Sequence, residues 1–264
     1  MPAIVLLGQR IAVVIPAFNT GARVRRVVDT LPPFVDLAVV IDDASTDDTA
    51  EVLAAMAGPA VVVLRHEENR GVGGALATGY REALSRGAEL VAVMAGDAQM
   101  DPSDLAALAA PVAEGRADYA KGNRLRHADC VRVMPAVRYA GNRVLSWLTR
   151  LATGLPGVGD SQCGYTVISA RALRELDLDG LWRRYGYPNH LLGALALQRR
   201  RVVDVVVRPV YAGETSGVRW RDALVVIPRI LLAVALARHV GRARVSWLGL
   251  PGSAALERGG ELDG

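Results

Sequence analysis

The chain has 264 residues, of which 51% are hydrophobic and 22% charged, enough to bury one large core or two small ones and too apolar for a disordered polymer. Its net charge of +4 is mild and suits an anionic ligand or a membrane surface as well as nucleic acid. Cys130 and Cys163 are the only cysteines and have no CxxC spacing, which argues against a disulfide framework or zinc site and makes a reducing cytosol the default compartment.

The apolar run at residues 4–7 is too short for a secretory leader and lacks a basic flank. Residues 11–15 read as a buried strand, followed by a Pro16-Ala17-Phe18-Asn19 turn and a helix to about residue 30. A second apolar run, 37–41, ends in Asp42-Asp43. Ser45 to Asp48 has the Ser-x-x-Asp spacing of a capped helix start, which predicts a helix continuing to residue 56. A third strand over 60–64 leads to Asn69-Arg70-Gly71-Val72-Gly73-Gly74 and a helix to about residue 86. A fourth strand, 90–94, ends in Ala95-Gly96-Asp97-Ala98-Gln99. A helix over 102–114 and a short strand over 117–120 follow. Apolar strands alternating with helices mean an α/β fold whose mostly parallel sheet is covered on both faces.

Ligands of open α/β sheets sit at the carboxyl ends of strands, where both acidic clusters fall. Asp favours turns and helix caps, so either cluster alone is ordinary punctuation. Two of them at strand ends fit a nucleotide and a divalent cation better. The glycine turn lacks the third glycine of a dinucleotide fingerprint and follows the third strand, not the first. No Gly-Lys-Ser/Thr phosphate loop is present either. These glycines instead permit close approach of the backbone to a ligand or a neighbouring element.

Residues 223–237 are apolar but interrupted by Pro228-Arg229, and shorter than the roughly 20 residues a spanning helix needs. Arg219, Arg221, Arg229, Arg238, Arg242 and Arg244 surround the segment. It reads either as a core helix packed on the sheet or as a helix lying in the membrane interface with its arginines at the headgroups.

Several motifs in order resemble the family 2 glycosyltransferases: Val14-Ile15-Pro16-Ala17-Phe18-Asn19, Ile41-Asp42-Asp43-Ala44-Ser45, Asn69 to Gly74, and Gly96-Asp97-Ala98-Gln99-Met100-Asp101-Pro102. Within that family, Asp160-Ser161-Gln162-Cys163-Gly164-Tyr165 and Gly213-Glu214-Thr215-Ser216-Gly217 are similar to the dolichyl- and polyprenyl-phosphate sugar synthases. The resemblance implies a Rossmann-like GT-A domain over residues 1–220; beyond it the sequence itself reads as an amphipathic helical segment over 221–250, core-packed or membrane-associated, and a Gly- and charge-rich flexible tail over 251–264. It implies an inverting transfer from a nucleotide-diphosphate sugar to polyprenyl phosphate, dependent on Mg²⁺ or Mn²⁺, on the cytoplasmic face of the cell membrane. No nucleic-acid partner is expected. Two other readings stay open: transfer to a sugar hydroxyl of a glycan or metabolite, and a nucleotide-sugar-binding protein without catalysis.

By that resemblance Asp97 and Gln99 are metal ligands, both hard oxygen donors. Pro16, Ala17, Phe18, Asp42, Asp43, Gly73 and Asp97 bind the nucleotide sugar. Arg124, Arg138 and Asn142 hold the acceptor phosphate, with Asp97, Arg124 and Arg138 the catalytic set. Arg138 and Asn142 share a face if their segment is helical. Arg132 and Arg143 read as solvated. The family's synthases usually carry an acid where this chain has Ala95, and often a Glu where it has Thr20. An acid expected of elongating members is missing around Tyr187 to Leu192, which leans toward an acceptor already ionised at neutral pH. His190 in that segment reads as structural more readily than as a base.

Overall fold

The computed structural model describes residues 8–210 and 225–240. The motif at 213–217, Arg219, Arg221, Arg242, Arg244 and the expected tail lie outside the described residues.

A seven-stranded sheet runs in the order β3-β2-β1-β4-β6-β5-β7. Its first half is parallel: β1 (Ile11–Ala17) pairs with β2 (Leu37–Asp42) on one side and β4 (Leu90–Val93) on the other, and β2 pairs with β3 (Val61–Arg65). Strand β6 (Thr166–Ser169) enters antiparallel between β4 and β5 (Tyr119–Asn123), and β7 (Val202–Val206) closes the edge parallel to β5. The sheet is therefore mostly parallel, as the alternating pattern predicts. The chain leaves β1 in one direction through β2 and β3, then crosses to the other side for β4. That reversal at β1 opens a crevice at the strand ends, the usual ligand position in such sheets.

Both faces of the sheet are packed. Ile11, Val13 and Ile15 point into one core, with residues of α1 (Ala22–Asp29), α2 (Thr49–Ala54) and α4 (Leu105–Ala113). Ala12 and Val14 point into the other, with α3 (Gly71–Ser85), α7 (Ala170–Arg174) and α8 (Tyr187–Leu197). Helix α3 reaches β1 closely because Gly79 carries no side chain: a Cβ there would stand 2.3 Å from Val14 Cγ1.

Two sequence expectations are corrected. Helix α2 starts at Thr49 with no side-chain cap from Asp48, and Ser45 Oγ instead accepts the Asn19 N–H at 3.0 Å. Strand β5 extends through Asn123, so Lys121 and Gly122 lie within it and not after it.

After the short α5 (Cys130–Val133), α6 (Ala136–Thr153) runs beside α8 and α9 (Ile227–Val240). Ile227 and Leu231 of α9 are buried with Ala152 of α6, and Arg238 Nη1 donates to the carbonyls of Leu151 and Ala152. One face of α9 is thus buried against other helices, α6 and α8, and not on the sheet as the core reading expects. Its other face exposes Leu232 and Leu236. Among the described residues no helix is long and apolar enough to cross a membrane.

Candidate active site

Three strand ends converge. Past the end of β2, the Asp43 N–H donates to the Ala17 carbonyl at 2.9 Å; past β4, the Gly96 N–H donates to the Pro16 carbonyl at 3.1 Å. These bonds continue the sheet pairing beyond its regular strands and bring Pro16, Ala17, Asp43 and the Gly96-Asp97 turn to one edge. Phe18 stands exposed at that edge. The turn after β1 is itself pinned: Asn19 Oδ1 accepts the Thr46 N–H, and Thr49 Oγ1 accepts the amides of Thr20 and Gly21.

Asp42 and Asp43 have different duties. Asp42 Oδ1 accepts the Ser45 N–H at 2.9 Å, and Oδ2 lies 3.4 Å from Arg65 Nε. Its buried carboxylate thus braces its own turn through Oδ1. Asp43 is also buried, and its Oδ1 accepts from His66 Nδ1 at 2.7 Å and from the Arg70 N–H at 2.9 Å. Gly73 gives the glycine turn its explanation. Its N–H donates to the Arg183 carbonyl at 2.7 Å, and a Cβ there would stand 1.9 Å from the Trp182 carbonyl oxygen. This close approach is to a neighbouring protein segment, the 182–183 backbone, one of the two readings of the glycine turn.

Asp97 and Gln99 share a tight turn: Asp97 Oδ1 accepts the Gln99 N–H at 3.0 Å, and Ala98 between them has a left-handed φ of 62°. A carboxylate and a side-chain carbonyl are the hard oxygens Mg²⁺ and Mn²⁺ take. Among the described residues no group of three or more His, Cys, Asp or Glu could hold a metal. The donor set fits a cation whose remaining positions belong to substrate oxygens and water, as Mg²⁺ commonly has.

On the other side of the sheet, Arg124 forks onto Asp160, with Nε to Oδ2 at 2.8 Å and Nη2 to Oδ1 at 3.1 Å. Burial pulls the Asp160 carboxyl up, but the guanidinium and its hydrogen bonds outweigh burial and hold it below the ordinary carboxylate range. Lys121, the only lysine of the chain, is fully buried and donates to the Cys163 carbonyl; desolvation lowers its pKa. Asn123 and the Gly159 amide both donate to Asp204 Oδ2. This buried charge set holds the Asp160 loop against β5 and β7.

Arg138 is half-buried on α6, and Asn142, one turn on, is buried. Arg132 and Arg143 are exposed, as expected, and Arg143 lies over the Tyr139 ring. A polar chain missed in the sequence joins three elements: Gln162 Nε2 donates to Asn189 Oδ1 at 3.0 Å, and Asn189 Nδ2 to Thr149 Oγ1 at 2.8 Å. Their only shared sequence signal is an amide or hydroxyl among apolar neighbours. His190, next to Asn189, is buried in α8; desolvation lowers its pKa to about 4, against a smaller opposing pull from Asp177.

The glycosyl transferase family 2 model matches residues 12–177, and the chain belongs to that family of glycosyltransferases. It is 28% identical to the UDP-N-acetylglucosamine–dolichyl-phosphate N-acetylglucosaminyltransferase of Methanococcus voltae over 81% of this chain and 91% of that protein. It is 30% identical to the undecaprenyl-phosphate mannosyltransferase of Micrococcus luteus over 85% of this chain and 95% of that protein. Among solved structures, glucosyl-3-phosphoglycerate synthase of Mycobacterium tuberculosis with Mn²⁺ and UDP-glucose superposes with a TM-score of 0.63 at 21% identity, covering 88% of this chain and 79% of that one. That likeness establishes the GT-A fold.

The His190 environment gives a pH signature. An imidazole with a native pKa near 4 and an ordinary value of 6.5 takes its proton more readily in the unfolded chain. Its contribution to stability is complete above about pH 6.5 and is lost as pH falls toward 4. Between pH 7 and 4.5 the loss is roughly 2–3 kcal/mol. Urea unfolding of the His190→Gln variant should show a correspondingly smaller fall over that interval. An identical fall in both proteins would contradict the burial.

Proposed function

We propose that this glycosyltransferase moves one sugar from a nucleoside-diphosphate sugar to a polyprenyl phosphate at the inner face of the cell membrane. The observation that carries the acceptor class is the build of α6. The helix presents Arg138 and, along its outer side, exposed Val137, Val144, Trp147 and Leu151. Val131 and Val133 before it, and Leu232 and Leu236 on the adjacent α9, are exposed as well. Scattered exposed apolar residues are normal, but a row on neighbouring helices marks an interaction surface. A lipid phosphate needs this pairing of a cation with an apolar surface. The names of the archaeal and micrococcal relatives support the same acceptor class.

On the donor side, Pro16, Ala17 and Phe18 would wall the nucleoside, and Asp43 would accept hydrogen bonds from its base or ribose. Asp97 and Gln99 would hold Mg²⁺ or Mn²⁺, which when bound neutralises the charge that grows on the departing diphosphate. The Mn²⁺ and UDP-glucose of the mycobacterial synthase support this donor and cofactor class. Arg138 would hold the acceptor phosphate, Asn142 would support it from the next turn, and Arg124 would add a positive charge held in place by Asp160. The phosphate attacks the anomeric carbon with an oxygen that is already anionic. The bond to the diphosphate breaks, that group leaves with the electron pair, and configuration inverts. No side chain need remove a proton, in keeping with a buried His190.

Three outcomes test this reading. Asp97→Asn removes a formal charge at constant volume and should lower transfer on the order of 100-fold with an unchanged circular dichroism spectrum. Normal turnover with added Mn²⁺ would remove Asp97 from the site. Arg138→Ala should raise the apparent KM for lipid phosphate about 30-fold, matching roughly 2 kcal/mol for a charge-assisted contact, and leave donor KM nearly unchanged. Equal effects on both substrates would make Arg138 structural. Finally, the protein should sediment with anionic vesicles at low salt, and a Trp147→Glu, Leu232→Glu double variant should remain in the supernatant. Vesicle binding unaltered by both charges would assign the surface to something other than lipid.

A further inference from the structure

His66 has no part in the function described so far, and its position at the end of β3 is specific. It follows Arg65, and its own N–H donates to the Asp42 carbonyl at 2.9 Å, continuing the β2–β3 ladder. The imidazole is buried between Asp43 and α3. Nδ1 lies 2.7 Å from Asp43 Oδ1, and Nε2 lies 2.9 Å from Thr78 Oγ1. An ionised carboxylate only accepts hydrogen bonds, so Nδ1 must carry its proton toward Asp43.

That bond settles which carboxylate oxygen is occupied. Oδ1 takes the His66 donor and the Arg70 N–H, and Asn69 Nδ2 donates to the Asp43 carbonyl at 3.2 Å. The second oxygen, Oδ2, receives no hydrogen bond among the described residues and is not fully enclosed, although the Asp43 side chain as a whole is only 4% exposed. An ionised carboxylate oxygen only accepts hydrogen bonds, so one left open at the crevice can take donors from a ligand. The groups a nucleoside can offer are a ring N–H or a ribose hydroxyl.

We propose that His66 is a positioning residue for the donor nucleoside: with the Arg70 amide it holds Asp43 Oδ1 and thereby turns Oδ2 toward the donors of the nucleoside. This rests on the reading of Asp43 as part of the nucleoside pocket. Thr78 extends the device by fixing the far nitrogen of the ring to α3, the helix whose start is locked to the 182–183 backbone through Gly73. The angle of the carboxylate is thus set from β2, β3 and α3 together.

The test is calorimetric binding of UDP, GDP and dTDP with Mn²⁺ to the full chain, with the tightest binder carried through a set of variants. Asn places its amide nitrogen near the imidazole Nδ1 and keeps the Asp43 bond, whereas Gln reaches toward the Nε2 position and does not. His66→Ala should weaken binding about tenfold. His66→Asn should restore most of the affinity and His66→Gln should not. Asp43→Asn separates the two levels: unchanged binding by that variant, or no binding of any probe by the wild type, overturns the nucleoside reading and the inference with it. Loss in Asp43→Asn with wild-type affinity in His66→Ala retains the pocket and overturns the role of His66. Should the Ala variant fail to fold, the Asn–Gln contrast decides: equal affinities in those two folded variants would reduce His66 to packing.

Discussion

The site depends on two backbone hydrogen bonds to β1. The carbonyls of Pro16 and Ala17 accept the amides of Gly96 and Asp43, which lie just beyond β4 and β2. Because β1 is the strand from which the chain winds in both directions, its two neighbours come from different parts of the sequence, and their acidic turns meet only through it. A Cβ on Gly96 would stand 3.1 Å from the Pro16 carbonyl oxygen, tighter than side chains normally pack, which accounts for a glycine immediately before Asp97. Residues 11–15 are fully buried, so the strand that positions the site lies wholly within the core.

The half of the molecule built on β1, β2 and β4 was largely legible in the sequence. Apolar runs mark β1, β2 and β4, and acids follow two of them, because a strand buried on both faces leaves polar groups only at its ends. What the pattern could not separate was Asp42 from Asp43. Adjacent identical residues point in different directions in a strand, and only the tertiary structure says which one faces its own turn. The Ser45 spacing misled for a related reason. A hydroxyl near a helix start can cap it locally or serve another segment, and Ser45 serves Asn19 of the preceding loop. The glycine turn left ligand and neighbour equally open, and its partner, the 182–183 backbone, is about a hundred residues away in sequence, a distance local rules do not span.

The half around β5, α6 and Asp160 was less legible because its determinants are pairs. Arg124 is one arginine among many until Asp160 is seen beneath it, and Asp160 is only part of a polar motif until Arg124 is seen above. A buried ion pair of this kind is weak evidence for stability but strong evidence for geometry, since either partner left alone would be an uncompensated buried charge. The segment at 223–237 offered two readings as alternatives, and α9 has two different faces: Ile227 and Leu231 pack inward, while Leu232 and Leu236 are exposed. A helix that is apolar nearly all round can close a core and still present an apolar surface.

The central claim is the nature of the acceptor. The most direct measurement is mass spectrometry of the lipid fraction after purified protein is incubated with Mn²⁺, a panel of nucleoside-diphosphate sugars and undecaprenyl phosphate in detergent. The account predicts a new species heavier than the lipid phosphate by one glycosyl unit, released as free sugar by mild acid, together with stoichiometric nucleoside diphosphate. Release of nucleoside diphosphate with the sugar found on a water-soluble hydroxyl acceptor, and none on the lipid, would contradict it.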